Sequence, residues 1–147
     1  VSNRGADGGP GKPVSEGGGW LRLSCDRTGS IGELCDAQTA VAAADVATLC
    51  TVLFEDAPPT NDVVLLPGYA LDAADLQAAQ AALRATGAQL RVIDYLPFTG
   101  RFPTASAVGV AAALLPARER PHFLWHLNRD ESGRFATIVI RAWPRLL

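Results

Sequence analysis

The feature of this sequence that most constrains its fold is an uncharged run near the carboxyl end, residues 104–115, in which only Thr104 and Ser106 are polar. Thr104 can cap a helix whose later positions are Ala, Val, Gly and Leu, and Pro116 ends it. A helix that is apolar all round is buried all round. One sheet can cover only one side of this helix, so we expect a second surface to cover the other.

The composition excludes several classes of partner. The 147 residues fit one domain, and 13 basic against 15 acidic residues give a net charge of -2 without a Lys/Arg cluster. Nucleic acid and anionic membranes are therefore not expected as partners. The longest apolar stretch, residues 107–116, is too short to span a bilayer, and the glycine-rich start is unlike a signal peptide. We expect a cytoplasmic protein.

The three cysteines, Cys25, Cys35 and Cys50, are widely spaced and contain no C-x-x-C pair. This spacing argues against a zinc ribbon or a disulfide framework and fits a reducing compartment. Free cysteine is usually buried, so all three are predicted to be small core residues.

The order of predicted elements indicates an α/β fold with a mixed sheet of about five strands, a parallel centre and helices packed on it. Residues 1–19 are interpreted as a flexible glycine-rich lead-in and residues 20–147 as a single α/β domain. Alternation and short apolar runs predict strands at 20–25, 31–38, 62–66, 90–93, 122–127 and 135–142, and caps with helical periodicity predict helices at 41–54, 72–86 and 104–115.

Two patterns resemble ligand sites but depart from them. Gly11-Lys12 lies in a glycine-rich segment, yet a phosphate-binding loop requires Gly and Ser or Thr where this chain has Ala6 and Pro13. His122 and His126 have a metal-ligand spacing on a helix, but the alternation around them predicts a strand, on which they stand about 13 Å apart. We interpret them as half-buried or edge histidines, and no metal site or cofactor is expected.

The remaining candidates are a thiol and two carboxylates. Cys50 falls late in a helix rather than at a helix N-terminus, where its thiolate would be favoured, although a Cys50–His pair stays open. Asp94 lies near the carboxyl end of a predicted strand and Asp75 in an early turn of a predicted helix, positions where open α/β sheets often bind ligands. Carboxylates at such positions are more often caps or solvated loop residues.

Read in order, these segments resemble the C-terminal half of a β-ketoacyl synthase, a thiolase-fold condensing enzyme of fatty-acid and polyketide synthesis. Residues 4–8 and 15–23 are similar to the family's R-D-G-F and G-E-G-A-G-…-L-V-L passage, and residues 61–68 to the strand that ends in its A-H-G-T motif. Residues 96–107 resemble K-x-x-T-G-H-x-x-G-A-A-G, and residues 133–141 the closing G-T-N-A-x-L-V-L-R strand. The resemblance implies a thiolase-like half-fold.

Departures from the family pattern bear on activity. The resemblance implies two histidines that polarise the malonyl thioester and a lysine that orders the site, and here those positions are Pro67, Arg101 and Leu96. Proline and leucine side chains cannot donate a hydrogen bond, and arginine stays protonated and cannot act as a base. The family's nucleophilic cysteine belongs to the N-terminal half. The resemblance therefore implies a degenerate chain without β-ketoacyl-ACP synthase (acyltransferase) activity of its own.

These expectations lead to one hypothesis and two rivals. The hypothesis is a pseudoenzyme similar in role to a chain-length factor, in a heterodimer with an active ketosynthase or a separate N-terminal half, in bacterial polyketide, polyene or fatty-acyl biosynthesis. The rivals are an enzyme subunit that completes a ketosynthase active site at a heteromeric interface, and a self-associating structural domain. The resemblance also admits acyl carrier protein as a partner, through Arg101. The expected partner interface consists of Thr104, Ala105, Val108, Ala111, Ala112 and Leu115.

Overall fold

A computed structural model describes residues 22, 24–41, 43, 45–54, 62–101, 105–115, 120–130 and 132–144. The strands are β1 (Gly32–Val41), β2 (Asp62–Pro67), β3 (Leu90–Val92), β4 (His122–Arg129) and β5 (Phe135–Ala142). The helices are α1 (Val46–Phe54), α2 (Ala73–Ala85), α3 (Leu96–Thr99) and α4 (Ala105–Leu114). The predicted lead-in 1–19 lies outside the described residues, as does half of the predicted strand 20–25. Its described positions, 22, 24 and 25, form no strand.

The five strands form one mixed sheet in the order β1-β5-β4-β2-β3. Strand β2 is parallel to both β3 and β4, whereas β5 is antiparallel to β4 and β1. The predicted α/β fold with a five-stranded mixed sheet and a parallel centre is thereby confirmed. The continuous apolar sequence of β2 follows from its place inside the sheet, where both of its faces are covered.

The two faces of the sheet carry different helices. Helices α1 and α2 pack on one face, against alternate residues of β2 and β4 that include Val63, Leu65 and Trp125. Helices α3 and α4 pack on the other face, against Leu66 and Leu124. Trp125 is fully buried and its indole Nε1 donates to the Thr137 hydroxyl at 2.6 Å, which satisfies its polar atom inside the core.

Local sequence explains where the helices start and stop. The side chain of Asp72 caps α2 by accepting a hydrogen bond from the Asp75 backbone N–H at 2.7 Å, and Gly87 follows the helix at a φ of 81°. Helix α1 begins at Val46 instead of the predicted 41, because β1 continues to Val41 in register with Phe135 of β5. A one-turn helix, α3, also lies between the predicted strand 90–93 and the predicted helix 104–115, where no element was predicted.

The prediction that all three cysteines are core residues is wrong for two of them. Only Cys50 is buried, on the inner side of α1. Cys25 and Cys35 are exposed. Cys35 lies in β1, which is an edge strand with most of its side chains accessible to water. Within the described part of the chain, no helix combines the length and apolar character needed to cross a bilayer.

Candidate functional site

The carboxyl ends of the parallel strands β4, β2 and β3 lie at one edge of the sheet. The chain leaves β2 toward α2 on one face and leaves β3 toward α3 and α4 on the other face. Open α/β sheets bind ligands in the crevice that such diverging connections create. A functional site is therefore expected at this edge.

The structure brings the three family-derived positions to this edge. Pro67 is the buried last residue of β2, and Leu96 is the buried first residue of α3. Arg101 is exposed, and its guanidinium Nη1 donates to the Tyr69 carbonyl at 3.0 Å, which ties the segment after α3 to the loop after β2. Neither Pro67 nor Leu96 offers a side-chain donor or acceptor at this edge.

A glycine and an asparagine hold the loop after β2 against β4. A Cβ atom on Gly68 would overlap the side chain of Asn128, so only glycine leaves room there. Asn128 is buried in β4, and its Oδ1 accepts from the Ala70 backbone N–H at 3.0 Å. The Gly68 backbone N–H donates to the Leu127 carbonyl at 2.8 Å. These contacts make the loop a fixed part of the edge.

Beneath the edge lies a buried polar pair that joins the β3–α3 connection to β4. The Tyr95 hydroxyl is 3.0 Å from Nε2 of His126, in a hydrogen bond whose donor depends on the histidine tautomer. Both residues are only 4% exposed. Burial lowers the pKa of His126 to about 4 and raises the pKa of Tyr95 above its usual value. Both side chains are therefore neutral near pH 7.

The ring of Tyr95 lies against the backbone of α4 at Gly109. A Cβ atom at position 109 would stand 2.6 Å from the ring, well inside van der Waals contact. The side chain of Ser106, one turn earlier on α4, partly offsets the rise that burial causes in the pKa of Tyr95. The contact between Tyr95 and Gly109 was not predicted, although a glycine inside a helix of alanine and valine indicates that another group approaches the helix backbone closely.

The two carboxylates singled out from the sequence have structural partners. Asp75 accepts two hydrogen bonds from Arg129, at 2.6 and 2.8 Å, and this bonding raises the pKa of Arg129. The Arg129 guanidinium also lies 4.4 Å from the centre of the Phe135 ring. Asp94 accepts from the Leu96 backbone N–H at 3.1 Å and so precedes α3 as a turn residue. Asp94 therefore fits the interpretation as a cap or loop residue, whereas Asp75 is neither and is an ion-pair partner in the first turn of α2.

The two histidines with metal-ligand spacing and the thiol of Cys50 are all buried. The interpretation of His122 and His126 as half-buried or edge histidines is wrong, because both are buried in β4, which is an inner strand of the sheet. Among the described residues, no group of His, Cys, Asp or Glu could hold a metal ion. Burial raises the pKa of Cys50 to about 12, and Cys50 packs on the face of the sheet opposite Tyr95. A Cys50–His126 nucleophilic pair is therefore not assembled.

The residues expected to form a partner interface do not share one environment. Ala105 is fully buried in the chain's own core, beside Val110 and Leu114. Val108 and Ala111 are half-buried, Ala112 is exposed and Leu115 is 65% exposed, whereas Thr104 lies outside the described residues. The side of α4 that faces away from the sheet, the outer side of α4, is formed by Ala111, Ala112 and Leu115, which directly follows the helix.

Comparison with known proteins returns no match to a family model, to a curated protein or to a solved structure.

Proposed function

We propose that this chain is a non-catalytic, ketosynthase-like subunit of the bacterial cytoplasm. In this proposal it pairs, as a chain-length factor does, with an active ketosynthase or a separate N-terminal ketosynthase half in polyketide, polyene or fatty-acyl biosynthesis. The outer side of α4 is the contact surface. The partner presents an uncharged helix face of small residues to it.

The observation that carries the proposal is the unequal covering of α4. Its inner side is buried against the sheet by Ala105, Gly109, Val110, Ala113 and Leu114. Its outer side has no charged or hydrogen-bonding side chain, since the last polar residue of α4 is Ser106 in the first turn. Removing water from a surface without charges costs little free energy, and small side chains let a second helix approach closely.

The edge of the sheet supports the non-catalytic part of the proposal. A ketosynthase-type site requires hydrogen-bond donors at the positions occupied here by Pro67 and Leu96, and both side chains are apolar and buried. The third position, Arg101, is engaged with the Tyr69 carbonyl. Among the described polar groups near this edge, Tyr95 and His126 are enclosed by α4 and the sheet, and Asp75 is paired with Arg129. Substrate therefore meets no prepared acid, base or nucleophile among these groups.

The test is to co-express the chain with a ketosynthase encoded beside it and to measure the mass of the purified assembly by size-exclusion chromatography with light scattering. We expect a one-to-one complex. The variant with Ala112→Glu and Leu115→Glu should lose the partner, because two carboxylates would be desolvated at the contact. The matched control carries Ala81→Glu and Ala85→Glu on the exposed side of α2 and should keep it.

The rivals predict other outcomes. A chain that stays monomeric with and without the ketosynthase overturns the proposal, and a stable homodimer that ignores the ketosynthase favours the structural domain. A condensation assay, with the partner alone and with the pair, separates the enzyme rival. If condensation by the pair is lost when Arg101 is replaced by alanine and the complex remains intact, the chain contributes to catalysis and the non-catalytic proposal is wrong.

A further inference from the structure

The second feature of α4 is how it is fixed to the sheet. Its inner side is almost wholly apolar, and it is joined to His126 of the sheet through a series of three residues. These are Gly109 of α4, Tyr95 of the β3–α3 connection, whose ring lies against Gly109, and His126 of β4, which is hydrogen-bonded to Tyr95. The last member, His126, lies in the middle of the sheet between Leu66 of β2 and Ile138 of β5 in the strand register.

We propose that this series is an acid-sensitive latch, in which protonation of His126 weakens the packing of α4 on the sheet and leaves the rest of the fold in place. This inference goes beyond the proposed function, and it concerns the chain without any partner.

Among the residues that the structure describes, none around His126 provides a charge that could stabilise an imidazolium. Leu66 and Ile138 face it from the adjacent strands, and α4 has no charged residue between positions 105 and 115. The β3–α3 connection contributes the Tyr95 hydroxyl, and the carboxylate of Asp94 beside it is exposed to water. On β4 itself, His122 and Asn128 share the face of the sheet with His126 by strand alternation.

Protonation therefore puts a positive charge into an apolar layer with one hydroxyl as partner. The Tyr95 hydroxyl can accept from the protonated ring, so the hydrogen bond survives in reversed direction, but the lost hydration of the charge is not replaced. Helix α4 lies at the periphery of this face, whereas β4 is held by strands on both sides. Lifting α4 would free the ring of Tyr95 from Gly109 and let water approach His126, whereas removing β4 would break the sheet.

The size of the effect follows from the pKa of His126. Burial depresses it from 6.5 to about 4, so the state with α4 lifted binds more protons between these values than the closed state does. Stability of the closed state is then fully present above the ordinary pKa and is lost as the pH falls toward 4. From pH 7 to pH 5 the opening constant should rise about 20-fold.

Hydrogen–deuterium exchange of the full chain tests this, with rates corrected for the intrinsic pH dependence of amide exchange. Between pH 7 and pH 5 the amides of α4 should lose protection by about 20-fold, whereas those of α2, on the opposite face, should change by less than about twofold. The lower pH stays above the ordinary pKa values of carboxylates, so most of them keep their charge. The His126→Gln variant should lose the pH dependence, and the matched His122→Gln variant should keep it.

A second variant covers the case in which His126→Gln does not fold. Tyr95→Phe removes the hydroxyl but leaves His126 enclosed, so α4 should be less protected at pH 7 and still lose protection on acidification. Three results would each overturn the latch: equal loss of protection in α4 and α2, a pH dependence that persists in His126→Gln, or one that vanishes in Tyr95→Phe. The protein is measured alone, so the outcome is independent of whether it pairs with a ketosynthase.

Discussion

Helices α2 and α4 pack on opposite faces of the same sheet, but they meet water in different ways. The exposed side of α2 carries Gln77 and Arg84, and Arg84 donates to the Gln80 side chain at 3.2 Å. The exposed side of α4 carries Ala112, followed by Leu115 just past its end. Helix α2 is therefore an ordinary amphipathic surface helix, whereas α4 has no polar surface beyond its first turn.

The difference separates two reasons for small side chains in α4. On its inner side the structure supplies the reason, because Gly109 leaves the space in which the ring of Tyr95 lies. On its outer side, the contacts of the described residues give no comparable reason for Ala112 or for the exposure of Leu115. Only the outer side therefore bears on the proposed partner, and the small size of residues in α4 is not by itself a sign of one.

Truncating one leucine on each face of the sheet compares the contribution of a buried and an exposed leucine to stability. Leu83 of α2 is fully buried, so Leu83→Ala should lower the free energy of unfolding by about 3 kcal/mol, through lost burial and the cavity left behind. Leu115 is mostly exposed, and Leu115→Ala should change it by less than about 0.5 kcal/mol. Urea denaturation of the isolated chain measures both values. Equal losses would mean that Leu115 is packed within the chain.

Adding a methyl group to one glycine in α4 and to one after α2 compares the effect of close packing with that of backbone strain. Gly109→Ala should destabilise the chain by about 2 kcal/mol, because overpacking against Tyr95 outweighs the better helix propensity of alanine. Gly87 has open space around it and a φ of 81°, so Gly87→Ala should lower stability by about 1 kcal/mol through backbone strain alone. Thermal and urea unfolding of both variants give the comparison.

The two glycines also differ in their expected energetic coupling to residue 95. If the space at Gly109 belongs to Tyr95, the loss caused by Gly109→Ala should shrink when Tyr95 is replaced by leucine. The loss caused by Gly87→Ala should not depend on residue 95. A double-mutant cycle in which the two substitutions at 109 and 95 are simply additive would contradict the close packing described here.

The sequence predicted most of the fold because its strands and helices have clear local patterns. Strand β5 has the predicted bounds, and β2 differs from its predicted range by one residue. The start of α1 was missed because β1 extends to Val41 through pairing with Phe135, and such long-range pairing leaves no trace in a local pattern. The exposure of Cys35 was missed for a related reason, since composition does not reveal which strand lies at an edge.

The candidate site was harder to predict than the fold. Placing Pro67, Leu96 and Arg101 at one edge required only the strand order and the rule that parallel strands end together. The pair formed by Tyr95 and His126 joins residues 31 positions apart, and each looks ordinary in its own segment. Histidine at a strand position can be exposed or buried, and only the position of β4 inside the sheet decides between the two.

The smallest expected effect is the most informative about α4. Ala112→Glu and its match in α2, Ala81→Glu, both replace an exposed alanine with a good helix former, so each should change the free energy of unfolding of the isolated chain by less than about 0.5 kcal/mol. Urea denaturation at low protein concentration measures both values without self-association. A loss of more than about 2 kcal/mol confined to Ala112→Glu would mean that a carboxylate there is desolvated within the monomer. The chain would then enclose the outer side of α4 itself, and α4 would need no partner to explain its sequence.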